Sequence, residues 1–249
     1  MPRWVFVEIG GSSAQSSVEA QGGFQFSDGV RREPGARYAL AVPGVIRPPE
    51  VLYASNLGWP DVADPAHELD LHPIGVLVND AVAAGLGEAV LRSGEGAQPP
   101  DLLYTALGTG VGTALVRNGS AVDADMGHIP VGGRNFCEGC RSHGCLNSTI
   151  EAKRLSYPVT AEEVDFVVSM LLEALEGMRA RGPLPSLLVL AGGITRSTPE
   201  LIDRLAARTV PDLTVEPTAA AREAKSAAYA GLSRLAHEAD RQGKEPIDD

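Results

Sequence analysis

The 249-residue sequence predicts an α/β protein built in two halves. Short runs of β-branched and aliphatic residues stop at glycine turns, the mark of buried strands. Longer stretches repeat apolar residues at helical spacing. A third observation is the polar, Gly- and Pro-containing segment 92–100, which divides the chain. Composition agrees: 44% hydrophobic and 21% charged residues, with 28 Gly and 18 Pro, fit folded layers joined by tight turns better than a disordered chain.

Trp4 to Ile9 reads as a buried strand that stops at Gly10-Gly11-Ser12-Ser13, and a second strand is expected over Ala14 to Val18. Residues 21–36 show no clear period, and Tyr38 to Val42 forms a third strand ending at Pro43-Gly44. Ile74 to Val78 is a strand ending in Asn79-Asp80, and the Ala-rich run Ala81 to Leu91 is a helix with Asp80 where an N-cap would sit. This first unit is 1–91, and 92–100 is its linker. The second unit, 101–218, opens with a hairpin of Leu102–Leu107 and Thr113–Val116 around Gly108-Thr109-Gly110-Val111-Gly112. From Ala161 to Arg181, Val164, Val168, Leu171, Leu172, Leu175 and Met178 recur on one helical face. Leu187 to Leu190 is a late strand ending at Gly192-Gly193, Ala219 to His237 is a final helix, and 239–249 is expected to fray.

The net charge of −11 disfavours a nucleic-acid partner, and no basic patch offsets it. The longest apolar runs are too short to span a bilayer and no leader opens the chain, so a cytoplasmic protein is expected. Cys137, Cys140 and Cys145 lie in one short stretch, a poor disulfide framework and a good metal clip. With His128 they form His-x8-Cys-x2-Cys-x4-Cys, a one-nitrogen, three-sulfur set that matches structural tetrahedral zinc; His143 competes for the nitrogen position.

Gly10-Gly11-Ser12, Gly108-Thr109-Gly110 and Gly192-Gly193 each end a strand. Each alone is a strand ending; together they suit a nucleotide held by backbone N–H groups between two domains. Asp80 has two readings as well, a helix cap or a general base at a strand end, where ligands of α/β sheets bind.

These residues resemble the ROK family, named for repressors, open reading frames and kinases. Val7-Glu8-Ile9-Gly10-Gly11-Ser12 looks like its D-x-G-G-T turn, Val42-Pro43-Gly44 like its P-G turn, and Asn56-Leu57-Gly58-Trp59 like its N-L-x-W segment. The stretch from Val78 to Glu88 is similar to N-D-A-N-A-A-A-x-G-E, and Leu107 to Gly112 to L-G-T-G-x-G. Asp125-Met126-Gly127-His128, then Cys137, Cys140 and Gly144-Cys145-Leu146-Asn147, is similar to E-x-G-H and C-x-C-G-x-x-G-C-L-E.

The resemblance implies an actin-like, ribonuclease H-like pair of α/β domains closing on ATP-Mg²⁺ and a sugar, with a structural zinc. A homodimer and a final helix packing back on the first domain are implied too. It makes Asp80 the catalytic base; Asn56, Asn79, Asp125, His128 and Asn147 sugar ligands; and Glu8, Gly10, Gly11, Ser12, Gly108, Thr109, Gly110, Gly192 and Gly193 the nucleotide side. Metal ligands are His128, Cys137, Cys140 and Cys145.

The departures are specific. Glu8 stands for Asp, Ser12-Ser13 for Thr-Lys, Asp125 for Glu and Asn147 for Glu, the last removing a charge. The first two cysteines are one residue further apart, and peripheral segments are short. A sugar kinase is expected; a degenerate sugar- or nucleotide-binding relative is the alternative. A repressor is not expected, since the first strand begins by Arg3 and leaves no room for a helix-turn-helix.

Overall fold

In the computed structural model, residues 3–10, 14–20, 23–54, 57–93, 97–156, 159–209, 212–220 and 224–243 are described. The first part holds β1 (Trp4–Ile9), β2 (Ala14–Ala20), β3 (Gly23–Asp28), β4 (Arg37–Val42), β5 (Val45–Arg47), β6 (Glu50–Tyr53), α1 (Pro65–Leu69), β7 (Ile74–Asn79) and α2 (Asp80–Arg92). The second holds β8 (Leu102–Leu107), β9 (Val111–Arg117), β10 (Ser120–Asp123), β11 (Phe136–Cys137), β12 (Ser142–His143), α3 (Leu146–Lys153), α4 (Ala161–Arg181), β13 (Leu187–Ala191), α5 (Gly192–Ser197), α6 (Glu200–Ala206), β14 (Thr214–Pro217) and α7 (Ala224–Arg241).

Each part builds a five-stranded sheet of the same order. In the first, β3-β2-β1-β4-β7, β1 pairs antiparallel with β2 and parallel with β4. In the second, β10-β9-β8-β13-β14, β8 pairs antiparallel with β9 and parallel with β13. The apolar strands β1 and β4 follow from this topology, because a central parallel strand is covered on both faces. Glu8 interrupts β1 because it faces the cleft.

Three cores fill the layers. Val5, Val7, Tyr38, Leu40 and Leu71 pack the outer face of the first sheet. The α4 stripe of Val164, Val168, Leu171, Leu175 and Met178 packs the outer face of the second, with Leu172 half-buried beside it. Between the sheets lie two helices: α2 packs on β8, β9 and β10, and α7 on β1, β4 and β7. The helices meet backbone to backbone, since a Cβ on Gly87 would lie 1.6 Å from the Ala227 carbonyl oxygen and one on Gly231 would lie 2.0 Å from that of Ala83. Such crowding explains the alanine and glycine run that reads as a simple Ala-rich helix in sequence.

The chain crosses between the sheets from α2 to β8 and from β14 to α7. Glu88, fully buried in α2, joins the two crossings. Its carboxylate accepts from the Thr218 hydroxyl and from Ala219 N at 2.9 Å, while Arg92 reaches Glu88, Glu216 and the Pro217 carbonyl.

Several expectations are corrected. Residues 21–36 contain strand β3, whose pairing with β2 rather than any apolar period makes it a strand. Arg92 belongs to α2, not to a linker, because Glu88 and β14 hold it. The final helix runs through Arg241, so fraying does not begin at 239: Asp240 accepts from Trp4 Nε1 and Arg37, each at 3.0 Å. Residues 244–249 lie outside the described residues. Among the described residues, no helix is long and apolar enough to cross a membrane.

Candidate active site and metal clip

A cavity of about 690 Å³ opens between the two sheets, within the range of small-molecule sites. Its floor is the junction of β7 and α2. Asn79 caps α2: its Oδ1 accepts from Ala81 N at 2.9 Å and Val82 N at 3.2 Å, and its Nδ2 donates to the Gly44 carbonyl at 2.9 Å. The cap is therefore Asn79 and not Asp80, which becomes the first helical residue and lines the cavity with its Oδ1 accepting from Ala81 N at 2.8 Å. Asn79 keeps one N–H for a ligand.

Burial raises the Asp80 carboxyl from 3.8 to about 6; N–H groups of the α2 first turn oppose this, and the Asp123 charge adds to it. A carboxylate in that range is ionised at neutral pH yet basic enough to take a proton. Burial also raises the Tyr104 phenol, with the charges of Glu88, Asp80 and Glu8 adding to the effect. Tyr104 and Asp123 also line the cavity, and neither stands among the residues the sequence singles out. The period-two alternation of β8, which puts Tyr104 on one face with Ala106, was the available signal for Tyr104.

Next to Asp80 in the lining runs the turn from Gly108 to Gly112, where a Cβ on Gly112 would lie 3.0 Å from Ala81 Cβ. Gly108, Thr109 and Gly110 line the cavity, and Gly108 N donates to the Gly110 carbonyl at 3.0 Å. Gly192, at φ +94°, closes against the end of β8, where a Cβ would lie 2.2 Å from the Leu107 carbonyl oxygen. Only glycine fits that approach, so the Gly192 and Gly108 turns are brought together. Glu8 joins them at the cavity, whereas Gly10 and Gly193 stand outside its lining. Gly11, Ser12 and Asn56 lie outside the described residues.

Asp125, His128 and Asn147 line the cavity next to the glycine turn, on the side of the metal clip. Asp125 adopts φ 54°, its N–H donates to Asp123 Oδ1 at 2.8 Å, and its carboxylate stands 3.6 Å from Arg181. Met126 N donates to Thr113 Oγ1 at 3.2 Å, tying this turn to β9. Asn147 Oδ1 accepts from Val111 N at 2.8 Å. Glu151 is exposed and away from the cavity.

Behind this side, one ligand atom each of His128, Cys137, Cys140 and Cys145 lie within 4.8 Å of one another. Cys137 Sγ and His128 Nδ1 are 3.7 Å apart, near the roughly 3.5–3.8 Å edge of a zinc tetrahedron with 2.0 Å Zn–N and 2.3 Å Zn–S bonds. The donor set and its spacing fit zinc. His143 is excluded from the set by its place on β12, where its ring packs edge-on against Phe136. The clip folds because Gly144, at φ +73°, lies against Gly133, where a Cβ would meet the carbonyl oxygen at 2.1 Å. Burial pushes the Cys145 thiol up, but its hydrogen bonds with the Ser148 hydroxyl and with the Ser148 N–H, which donates to Sγ at the start of α3, outweigh this together with His128 and Cys137 and draw it down to about 7. Burial raises Cys140 to about 11, with the neighbouring thiols adding to it and the Ser142 backbone opposing. Bound metal would fix all three as thiolates.

Residues 25–173 match the model of the ROK family. A polyphosphate glucokinase of Mycobacterium tuberculosis is 30% identical over 202 residues, covering 79% of this chain and 68% of that one. A glucokinase of Halalkalibacterium halodurans is 35% identical over 126 residues, 45% of this chain and 37% of that one. Among solved structures, the ROK family glucokinase from Streptomyces griseus in complex with glucose and AMPPNP superposes with a TM-score of 0.65 at 19% identity, over 95% of this chain and 99% of that one. The inorganic polyphosphate/ATP-glucomannokinase from Arthrobacter sp. strain KM gives 0.64 at 21%, over 96% and 100%. The repeated sheet order and the cleft between the sheets are those of the actin-like two-domain fold of these kinases. The chain belongs to the ROK family and sorts with its carbohydrate kinases.

Proposed function

We propose that the protein transfers the γ-phosphoryl group of ATP-Mg²⁺ to a hydroxyl of a hexose, amino sugar or related polyol, with Asp80 as general base. The observation that carries this reading is the Asp80 carboxyl, in the first turn of α2 at the cavity floor, beside the glycine turn 108–112. Phosphoryl transfer asks mainly for positioning and charge stabilisation, and these two elements supply both.

Asp80 takes the proton of the attacking hydroxyl as its oxygen bonds to the γ-phosphorus and the bond to the β,γ-bridging oxygen breaks, releasing ADP. With the Gly108 N–H taken by the Gly110 carbonyl, the N–H groups of Thr109, Gly110 and Gly192 would steady the phosphate oxygens, and Glu8 would supply a hard oxygen donor that suits Mg²⁺. Bound Mg²⁺ neutralises charge on the transferring phosphate. Asn79, through its spare N–H, and Asp125, His128 and Asn147 from the clip side are the sugar contacts, joined by Asn56. Zinc on His128, Cys137, Cys140 and Cys145 holds that side in shape without taking part in the chemistry.

Residues 1–91 with α7 and residues 101–218 serve as the two closing domains, linked through the crossings that Glu88 joins. The three cysteines without disulfides suit a reducing, cytoplasmic setting, and the family resemblance favours a homodimer, which light scattering would measure.

The test is ³¹P NMR of the protein with ATP-Mg²⁺ and a sugar panel. A phosphate monoester growing in step with ADP is expected. Inorganic phosphate alone would mark transfer to water and overturn the sugar as acceptor, and thermal stabilisation by ligands with ATP left intact would mark a binding protein instead. Because two of the matched relatives carry polyphosphate in their names, inorganic polyphosphate belongs in the same experiment as a second donor.

A further inference from the structure

The family's sugar-binding glutamate is replaced here by Asn147, whose side chain does something within the protein. Its Oδ1 accepts from the N–H of Val111, the residue at which the glycine turn enters β9 opposite Leu107. A Cβ on Gly110 would come within 2.8 Å of the same oxygen, so the turn lies directly against the amide. Asn147 is the second residue of α3, whose N-cap is the clip cysteine Cys145 and whose Leu146 N–H donates to the Ile129 carbonyl at 2.9 Å. One side chain thus bridges the clip side of the cavity and the turn that runs next to Asp80.

We propose that Asn147 is a positioning residue that fixes the glycine turn 108–112 to α3, so that the metal clip sets the geometry of the phosphate-side turn. The choice of side chain fits this task. With Oδ1 committed to Val111, Asn147 presents only N–H donors to a ligand. Its neutrality adds no fifth carboxylate to a cavity already lined by Glu8, Asp80, Asp123 and Asp125. Its functional consequence rests on the kinase reading above, but the link itself can be tested without turnover.

The experiment compares Asn147→Asp, which keeps the acceptor, with Asn147→Leu, which keeps similar bulk without it, and Asn147→Ala. Hydrogen exchange at Val111 is read on the zinc-loaded protein and is expected to quicken about tenfold in the Leu and Ala variants and to stay near wild type in the Asp variant, the scale of one lost hydrogen bond. The KM for ATP should rise by a similar factor in the Leu and Ala variants and be largely restored by Asp. Val111 exchange unchanged in the Leu variant, or equally quickened in the Asp variant, would overturn the proposal. If the wild type turns over no sugar, the kinase reading fails while the exchange pattern still decides the role of Asn147.

Discussion

Asp80 carries a cost that its chemistry explains. Its carboxyl is held near 6 because burial penalises the charge, so its ionised form at neutral pH opposes folding. The pKa is raised in the folded state. Its contribution is therefore most favourable below 3.8 and is lost as pH rises through about 6. Asp80→Asn should raise stability at pH 7 by about 1–3 kcal/mol, read as a melting temperature several degrees higher. The same change should lower kcat by about 10²–10⁴. In the wild type, kcat should fall about tenfold per pH unit below about 6, and a rate flat from pH 5 to 8 would contradict the general-base role. Asn79→Ala removes the α2 cap and the tie to Gly44, which should cost about 1–2 kcal/mol in denaturant unfolding. The order of these two neighbours was legible in sequence only as a motif. Both are good caps, and the backbone geometry of the β7–α2 junction decided which one capped.

At the scale of elements, the clip and the α2–α7 pair carry separate expectations. The clip should bind one zinc per chain, measurable by atomic emission, and its removal by a strong chelator should lower the melting temperature by roughly 10 °C or more, since metal binding here is folding energy. Gly87→Ala should destabilise by about 3 kcal/mol or more, because its methyl would lie on the Ala227 carbonyl. Unfolding in urea measures this. Strands β1, β4, β8 and β13 and helix α4 were legible because burial on both faces, or on one helical stripe, writes itself into composition, and β7, at the sheet edge, as a short apolar run. β3, β14 and the short helices α5 and α6 were not, since pairing and tertiary contact rather than local pattern make them. The clip ligands were legible as a spacing, but only the fold separates His128 from His143.

At the scale of the molecule, two sheets of the same strand order face each other across α2 and α7, and the cavity lies where their glycine turns meet. The two halves share this order without a repeat visible in sequence, because sheet order is set by long-range pairing. Tyr104 and Asp123 reach the cavity for the same reason: each is placed by its sheet and not by a motif. ADP release from ATP-Mg²⁺ across hexoses, N-acetylated amino sugars and cyclitols, with Asp80→Asn measured beside the wild type, tests this account most directly. Sugar-dependent release that the substitution reduces at least a hundredfold is expected; no release with any sugar, or release that Asp80→Asn leaves intact, would contradict it.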